Sequence, residues 1–156
     1  MNYPTLEEKF WANVRKADGC WEWMGSKIRG HGRVSAPRTV YAHRLSYELH
    51  KGPIPQGLEI DHMCHNRACV NPEHLRAVTD KQNNENRAGA NPNSKSGVRG
   101  VHWRPDVKKW QVVIHAAGKK YHVGYFVDLA EAGAAAVAKR NELFTHNDVD
   151  RLPKAA

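Results

Sequence analysis

Apolar residues recur at two different periods along this chain, and the places where one period gives way to the other mark its elements. Near the N-terminus Leu6, Phe10, Trp11 and Val14 share one face at helical spacing, and Thr5 with Glu8 has capping-box spacing. A helix is therefore predicted there, ending before Gly19. Short strands are predicted over residues 20–23 and 38–41, then a helix over 42–50 that Gly52, Pro53 and Pro55 terminate. Trp21, Trp23 and Tyr47 are the large apolar side chains expected in this region's core. Further on, residues 58–62 read as a strand, 63–75 as a loop crowded with ligand-type side chains, 76–78 as a second strand, and Thr79 onward as a capped polar helix. The second half differs. Residues 98–103, 110–116 and 120–126 read as three strands with a hairpin at Gly118, followed by a helix from Asp128, which has capping-box spacing with Glu131. In the middle strand Trp110, Val112 and Ile114 alternate with Gln111, Val113 and His115, and in the third Tyr121 and Val123 alternate with Lys120 and His122, so one face is core and the other basic. Leu129, Gly133, Ala136, Val137, Arg140 and Phe144 share a side of the helix.

Between the halves, NRAGANPNSKSG at 86–97 has no apolar period and the composition of a linker. The boundaries that follow are a first domain over 1–88, a linker over 89–97 and a second domain over 98–150. Charge sharpens this division. The 156 residues carry 24 Lys and Arg against 16 Asp and Glu, a net charge of +8 that favours a polyanionic partner. Residues 1–90 hold 13 basic and 10 acidic side chains, whereas 91–127 hold 7 basic ones and Asp106 alone, a net of +6. The electrostatic footprint is thus in the second half. No stretch of about 18 apolar residues exists to span a membrane. The N-terminus lacks the apolar core of a signal peptide, so a cytoplasmic, reducing setting is expected.

In that setting three cysteines beside histidines point to metal rather than disulfides. Cys64, Cys69 and His74 are spaced Cys-x4-Cys-x4-His, and Cys20 stands far upstream beside Trp21. Together they make a Cys3His set. Zinc takes such ligands tetrahedrally, and four protein ligands close its shell, so the site is structural. The bland alternative is that Cys20 is an ordinary buried thiol and the loop is unmetallated. Pro72 and the scarcity of apolar residues over 61–75 weigh against it, because such a segment needs another tether. His65 lies between the ligands and is a competing donor of poorer spacing.

The stretch EIDHMCHNRACVNPEHLRAVTDKQNNEN, residues 59–86, resembles the His-Me finger nucleases, both the HNH homing endonucleases and their His-Cys box relatives. The resemblance implies a ββα-metal fold, with His62 at the end of the first strand as general base and Asn83 on the helix as ligand of a catalytic divalent ion such as Mg2+. It also implies Asp61 as a second ligand. The cysteine spacing matches the His-Cys box loop, while the second zinc of that branch has no cysteines left to form it. Phosphodiester hydrolysis needs an activated water, neutralised phosphate charge and help for the departing 3′ oxygen. Neutral imidazole and a hard cation held by oxygens can supply these. In a regular strand Asp61 and His62 point to opposite faces, so both serve one site only if the strand ends or kinks there. Arg33, Arg38 and Arg44 are alternative partners for the cleaved phosphate, and His43 is as readily a packing histidine as a catalytic one.

SGVRGVHWRPDVKKWQVVIH, GKKYHVGYF and AEAGAAAVAKRNELF, within residues 96–144, resemble the plant Apetala and ethylene-response-factor DNA-binding domain. The resemblance implies a sheet that enters the major groove of double-stranded DNA, with Arg99, His102, Arg104, His115, Lys120 and His122 at the reading positions. Arg99 is expected to read guanine, and Lys119 in the hairpin to meet phosphate. The expectation as a whole is an α+β protein in which a zinc-stabilised His-Me finger nuclease domain precedes a small three-stranded antiparallel sheet packed on one helix. Its activity would be site-directed DNA cleavage of homing type, by a monomer or a homodimer. The competing class is a catalytically inactive DNA-binding regulator on the same fold; RNA binding is disfavoured, since no aromatic row resembles an RNA-recognition strand.

Overall fold

The computed structural model describes residues 3–151, which form two compact units divided between Asp80 and Lys81. In the first unit, α1 (Leu6–Trp11) begins at the predicted capping box. The Thr5 hydroxyl accepts from the Glu8 N–H at 3.2 Å, and the Glu8 carboxylate accepts from the Thr5 N–H at 2.7 Å. The helix is shorter than its apolar period suggested. Val14 belongs to β1 (Val14–Arg15), antiparallel to β2 (Glu22–Trp23). β3 (Lys27–Ile28), β4 (His31–Val34) and β5 (Val40–Tyr41) form a second small antiparallel sheet, and α2 (Ala42–Lys51) follows directly. β3 and β4 were not predicted, because strands this short have too few positions to display an alternation.

One core holds these pieces. Phe10, Trp23, Val34, Ala42, Leu45 and Val70 are buried together, with the Phe10 and Trp23 rings stacked at 5.7 Å. Gly32 is the fitted member of β4, since a Cβ there would stand 2.6 Å from the Trp23 indole. β6 (Glu59–His62) pairs antiparallel with β7 (Leu75–Val78), placing Asp61 opposite Arg76 and His62 opposite Leu75. A short 3-10 turn, Pro72–His74, leads into β7, and α3 (Asp80–Glu85) carries the chain across the boundary between the units.

In the second unit β8 (Val101–Arg104), β9 (Lys109–Ala116) and β10 (Lys119–Phe126) make an antiparallel sheet with β9 in the centre. α4 (Leu129–Leu143) starts on the Asp128 carboxylate, which accepts from the Glu131 N–H at 2.9 Å, and lies against the sheet. Val101, Val112, Ile114, Ala132, Ala136 and Phe144 form the core between them. Ala132, rather than Gly133, takes the buried helix position. β10 shifts register between His122 and Gly124, so Phe126, three positions after Val123, packs on the same core where strict alternation would have offered Tyr125. Gly100, at φ +84°, leaves room for Ile114, whose Cδ1 would be 2.5 Å from an added Cβ. The Arg140 guanidinium is buried and paired with Asp150 of α5 (Asp148–Arg151) at 2.6 Å. Among the described residues no helix is long and apolar enough to cross a membrane.

Candidate functional site

The loop between β6 and β7 is bound to the rest of its unit mainly through polar groups. The Trp23 N–H donates to the Ala68 carbonyl at 3.0 Å, the Val70 N–H to Trp21 at 2.8 Å, and the Met63 N–H to His74 at 2.9 Å. The Asn71 amide donates to the Gly19 carbonyl at 2.7 Å, and Asn66 bonds Glu22. His65 takes a left-handed conformation, φ +57°, which turns the chain sharply after His62. These contacts gather Cys20, Cys64, Cys69 and His74, whose ligand atoms all lie within 4.8 Å of one another. His74 Nδ1 is 3.6 Å from the Cys20 sulfur and 3.5 Å from that of Cys69. The competing donor His65 is outside this group.

The donor chemistry suits zinc. Burial and the neighbouring Cys69 raise the Cys20 pKa, and Cys64 together with burial raises that of Cys69, while a hydrogen bond from Cys69 lowers that of Cys64. Three thiols this close resist becoming thiolates together, and a divalent cation at their centre removes that repulsion.

His62 ends β6 and is buried, 7% exposed. Its Nε2 lies 3.1 Å from the Cys69 carbonyl oxygen, which can only accept, so Nε2 carries the hydrogen and Nδ1 keeps the lone pair. His31 from the start of β4 and His43 from the first turn of α2 complete a cluster in which one ligand nitrogen per ring lies within 4.8 Å of the others. Burial, followed by the charge of His31, pushes the His62 pKa down to about 4 against the opposing effects of the Cys69 carbonyl and Asp61. Burial, then His62, His31 and Arg44, take His43 to about 3. His31 is lowered by burial and by Arg67. All three imidazoles are neutral at neutral pH.

Asp61 joins Arg76, whose Nε and Nη2 donate to its Oδ2 at 3.0 and 2.9 Å, and its charge also acts on His62. Asn83 lies half-buried on α3. Two participants were missed in the sequence: His31, and the exposed Arg67, whose charge acts on both His31 and His62. His31 has no local signal, because it reaches the site through tertiary packing, and Arg67, although in the loop itself, has no spacing that marks it. Arg33 and Arg38 are exposed and Arg44 is half-buried.

On the second unit, the strand register puts His102 opposite Gln111, Gln111 opposite Tyr125, His122 opposite Val113 and Lys120 opposite His115. His102, His115, Lys119, Lys120 and His122 are exposed. Arg104 pairs with Asp106 at 2.9 Å and donates to Gln111 at 3.2 Å. Arg99 departs from its expected reading position. Its guanidinium donates to the carbonyls of Asn84 at 2.8 Å and Glu85 at 2.9 Å, and lies 5.2 Å from the Phe144 ring, because the chain before β8 turns it back onto the end of α3.

Residues 40–85, running from β5 through α3, match the model of the HNH endonuclease family. This segment contains His43, His62, Cys64, Cys69, His74 and Asn83, while Cys20 and His31 come from outside it. The chain is 44% identical over 68 residues to the "Uncharacterized gene 5.3 protein" of Enterobacteria phage T3, a match covering 43% of this chain and 62% of that protein. It is 37% identical over 83 residues to Protein 2.8 of Escherichia phage T7, covering 50% and 56%. Protein 3.8 of Escherichia phage T7 is 32% identical over 108 residues, 69% of this chain and 85% of that protein. The chain belongs to one family with that T7 Protein 3.8. It spans 62% and 56% of the length of the gene 5.3 and 2.8 proteins. No solved structure matches it.

Proposed function

We propose that the chain is a site-directed, homing-type DNA endonuclease acting in the cytoplasm of an infected cell. The observation that carries this reading is the hydrogen bond from His62 Nε2 to the Cys69 carbonyl, which leaves Nδ1 of a neutral imidazole as the proton acceptor. In the reaction His62 Nδ1 takes a proton from water, the water oxygen bonds to phosphorus, and the phosphorus bond to the 3′ oxygen breaks, leaving a 5′-phosphate and a 3′ oxygen that takes its proton from solvent water to become the 3′-hydroxyl. A divalent ion such as Mg2+ supplies charge neutralisation at the phosphate and at the departing oxygen. Asp61 and Asn83 are its proposed ligands, both on the family resemblance, and Arg76 orients the Asp61 carboxylate. Arg67, exposed and acting electrostatically on His62, is the proposed partner of the cleaved phosphate. Cys20, Cys64, Cys69 and His74 would hold a structural zinc that fixes the loop carrying the Cys69 carbonyl.

The second domain, 98–150 after a linker at 89–97, is proposed to bind double-stranded DNA through the sheet face of His102, Arg104, His115, Lys120 and His122, with Lys119 beside it. Arg99 supports this domain from within rather than reading bases. Supercoiled plasmid incubated with the protein and Mg2+ tests the activity. Cleavage is expected, and His62→Ala should slow it by about 10²- to 10⁴-fold, the usual worth of a general base, while leaving DNA binding intact. Unchanged single-turnover cleavage by that variant refutes the mechanism, and binding without cleavage by the parent chain supports the inactive regulator instead.

A further inference from the structure

His31, His43 and His62 do more than a single general base requires. Their ring centroids are 4.8 to 5.6 Å apart, and His43 and His62 are each 7% exposed. Nδ1 of His31 and Nδ1 of His43 are buried with no hydrogen-bond partner. A buried polar nitrogen left unpaired is costly, and it persists where some other occupant uses it. The nitrogens converge from β4, α2 and β6, so the cluster is not an accident of neighbouring sequence positions.

We propose that these three histidines form a second metal site, suited to a borderline transition ion such as Zn2+, and that filling it switches the nuclease off. The second half rests on the reading of His62 as general base: an ion bound to Nδ1 takes the lone pair that would accept the proton. The donor set decides the class of ion. Three neutral imidazoles with no carboxylate among them hold Zn2+, Ni2+ or Cu2+ and give little to Mg2+, which prefers oxygen. His62 already has the arrangement common to metal-bound histidines, its other ring N–H donated to a backbone carbonyl. Zinc–nitrogen distances of about 2.0–2.1 Å require the rings to close slightly from their present spacing, which side-chain rotation allows.

The two metal sites are ranked by charge. Thiolates make the Cys3His set strongly attractive to zinc. The three-histidine set is neutral, and the positive charge of Arg67 acts on two of its members. The Cys3His site therefore fills first, and the histidine site fills when the ion is in excess.

Titration of the metal-free full-length chain with Co2+ tests this, since thiolate ligation gives strong sulfur-to-cobalt charge-transfer absorption and imidazole ligation does not. Two classes of site are expected, the first with that absorption and the second without it. His31→Gln and, separately, His43→Gln should weaken the second by more than about tenfold and spare the first; even an outer partner of a metal ligand is worth that much. His31 is only half-buried, so its variant is the less exposed to folding failure, and retention of the first class reports that the unit is folded. In parallel, plasmid cleavage in Mg2+ is followed with rising Zn2+, each protein normalised to its own zinc-free rate. Inhibition should follow filling of the second site and shift by at least tenfold in His31→Gln. A single class of site in the parent chain, or a second class indifferent to both substitutions, overturns the proposal. A second class that binds without inhibiting overturns the switch, and a chain that cuts nothing in Mg2+ alone defeats the nuclease reading while the cobalt titration still decides the metal site.

Discussion

Removing zinc from the Cys3His centre should release residues 63–74 while the rest of the first core survives as a weaker scaffold. Ordering these twelve residues costs about 1–2 kcal/mol each in backbone entropy, about 12–24 kcal/mol together. Among them Val70 is the one member of the main core, worth about 1.5–3 kcal/mol. The bonds to Trp21, Trp23, Glu22, Gly19 and Ser46, with the Met63–His74 closure, add about 1 kcal/mol each, roughly 6 kcal/mol in all. The loop is thus short by at least about 3 kcal/mol, and structural zinc, at about 10–16 kcal/mol apparent, restores the balance. The assay is amide hydrogen exchange over 63–74 with tryptophan emission, because Trp21 and Trp23 bond directly to this loop. Chelation or Cys69→Ser should abolish protection there, red-shift the emission, and restore neither without metal. Loop amides protected equally with and without zinc would refute the reasoning.

Other expectations concern the second unit. Burial opposes the charge on Glu85, but the Thr145 and His146 N–H groups and the Thr145 hydroxyl outweigh it and hold the carboxyl below its usual range. The unfolded chain then binds the proton more readily, so this stabilisation is complete above about pH 4.5 and is lost as pH falls through the folded value. Glu85→Gln should cost on the order of 2 kcal/mol at neutral pH, since charge-assisted bonds become neutral ones, and should flatten the acid side of a denaturation series. Arg99→Ala should lower stability by about 2–4 kcal/mol in urea titration without changing which DNA sequence is preferred, because its guanidinium holds the Asn84 and Glu85 carbonyls. Lys119→Ala should instead leave stability unchanged and reduce the log–log salt slope of DNA binding by about one.

What could be read from the sequence was whatever is written locally. The α1 capping box, the Asp128 N-cap of α4, the β9 and β10 strands and the Cys-x4-Cys-x4-His spacing are determined by residues a few positions apart, and each corresponds to an element or cluster in the fold. Arg99 shows the opposite case. Its neighbours look like a basic reading strand, yet its side chain is captured by carbonyls 12 to 15 positions earlier. Asp61 and Arg76 become partners only through the register of β6 with β7, and His31 reaches His62 only through packing. No period or spacing encodes such encounters.

Cys69 links the Cys3His group directly to the histidine cluster. Its sulfur lies in the Cys3His group, its carbonyl accepts from His62 Nε2, and its backbone bridges to Glu22 of β2. The residue is fully buried, so displacement of the sulfur by loss of metal displaces the carbonyl with it. His62 would then lose the acceptor that assigns its hydrogen to Nε2, and the imidazole could exchange tautomers or turn. The lone pair on Nδ1 would no longer be fixed there. On the proposed mechanism, a ligand with no place in the reaction would control which nitrogen of the base is available, and loss of zinc should reach His62 through one peptide unit even where β6 and β7 remain paired.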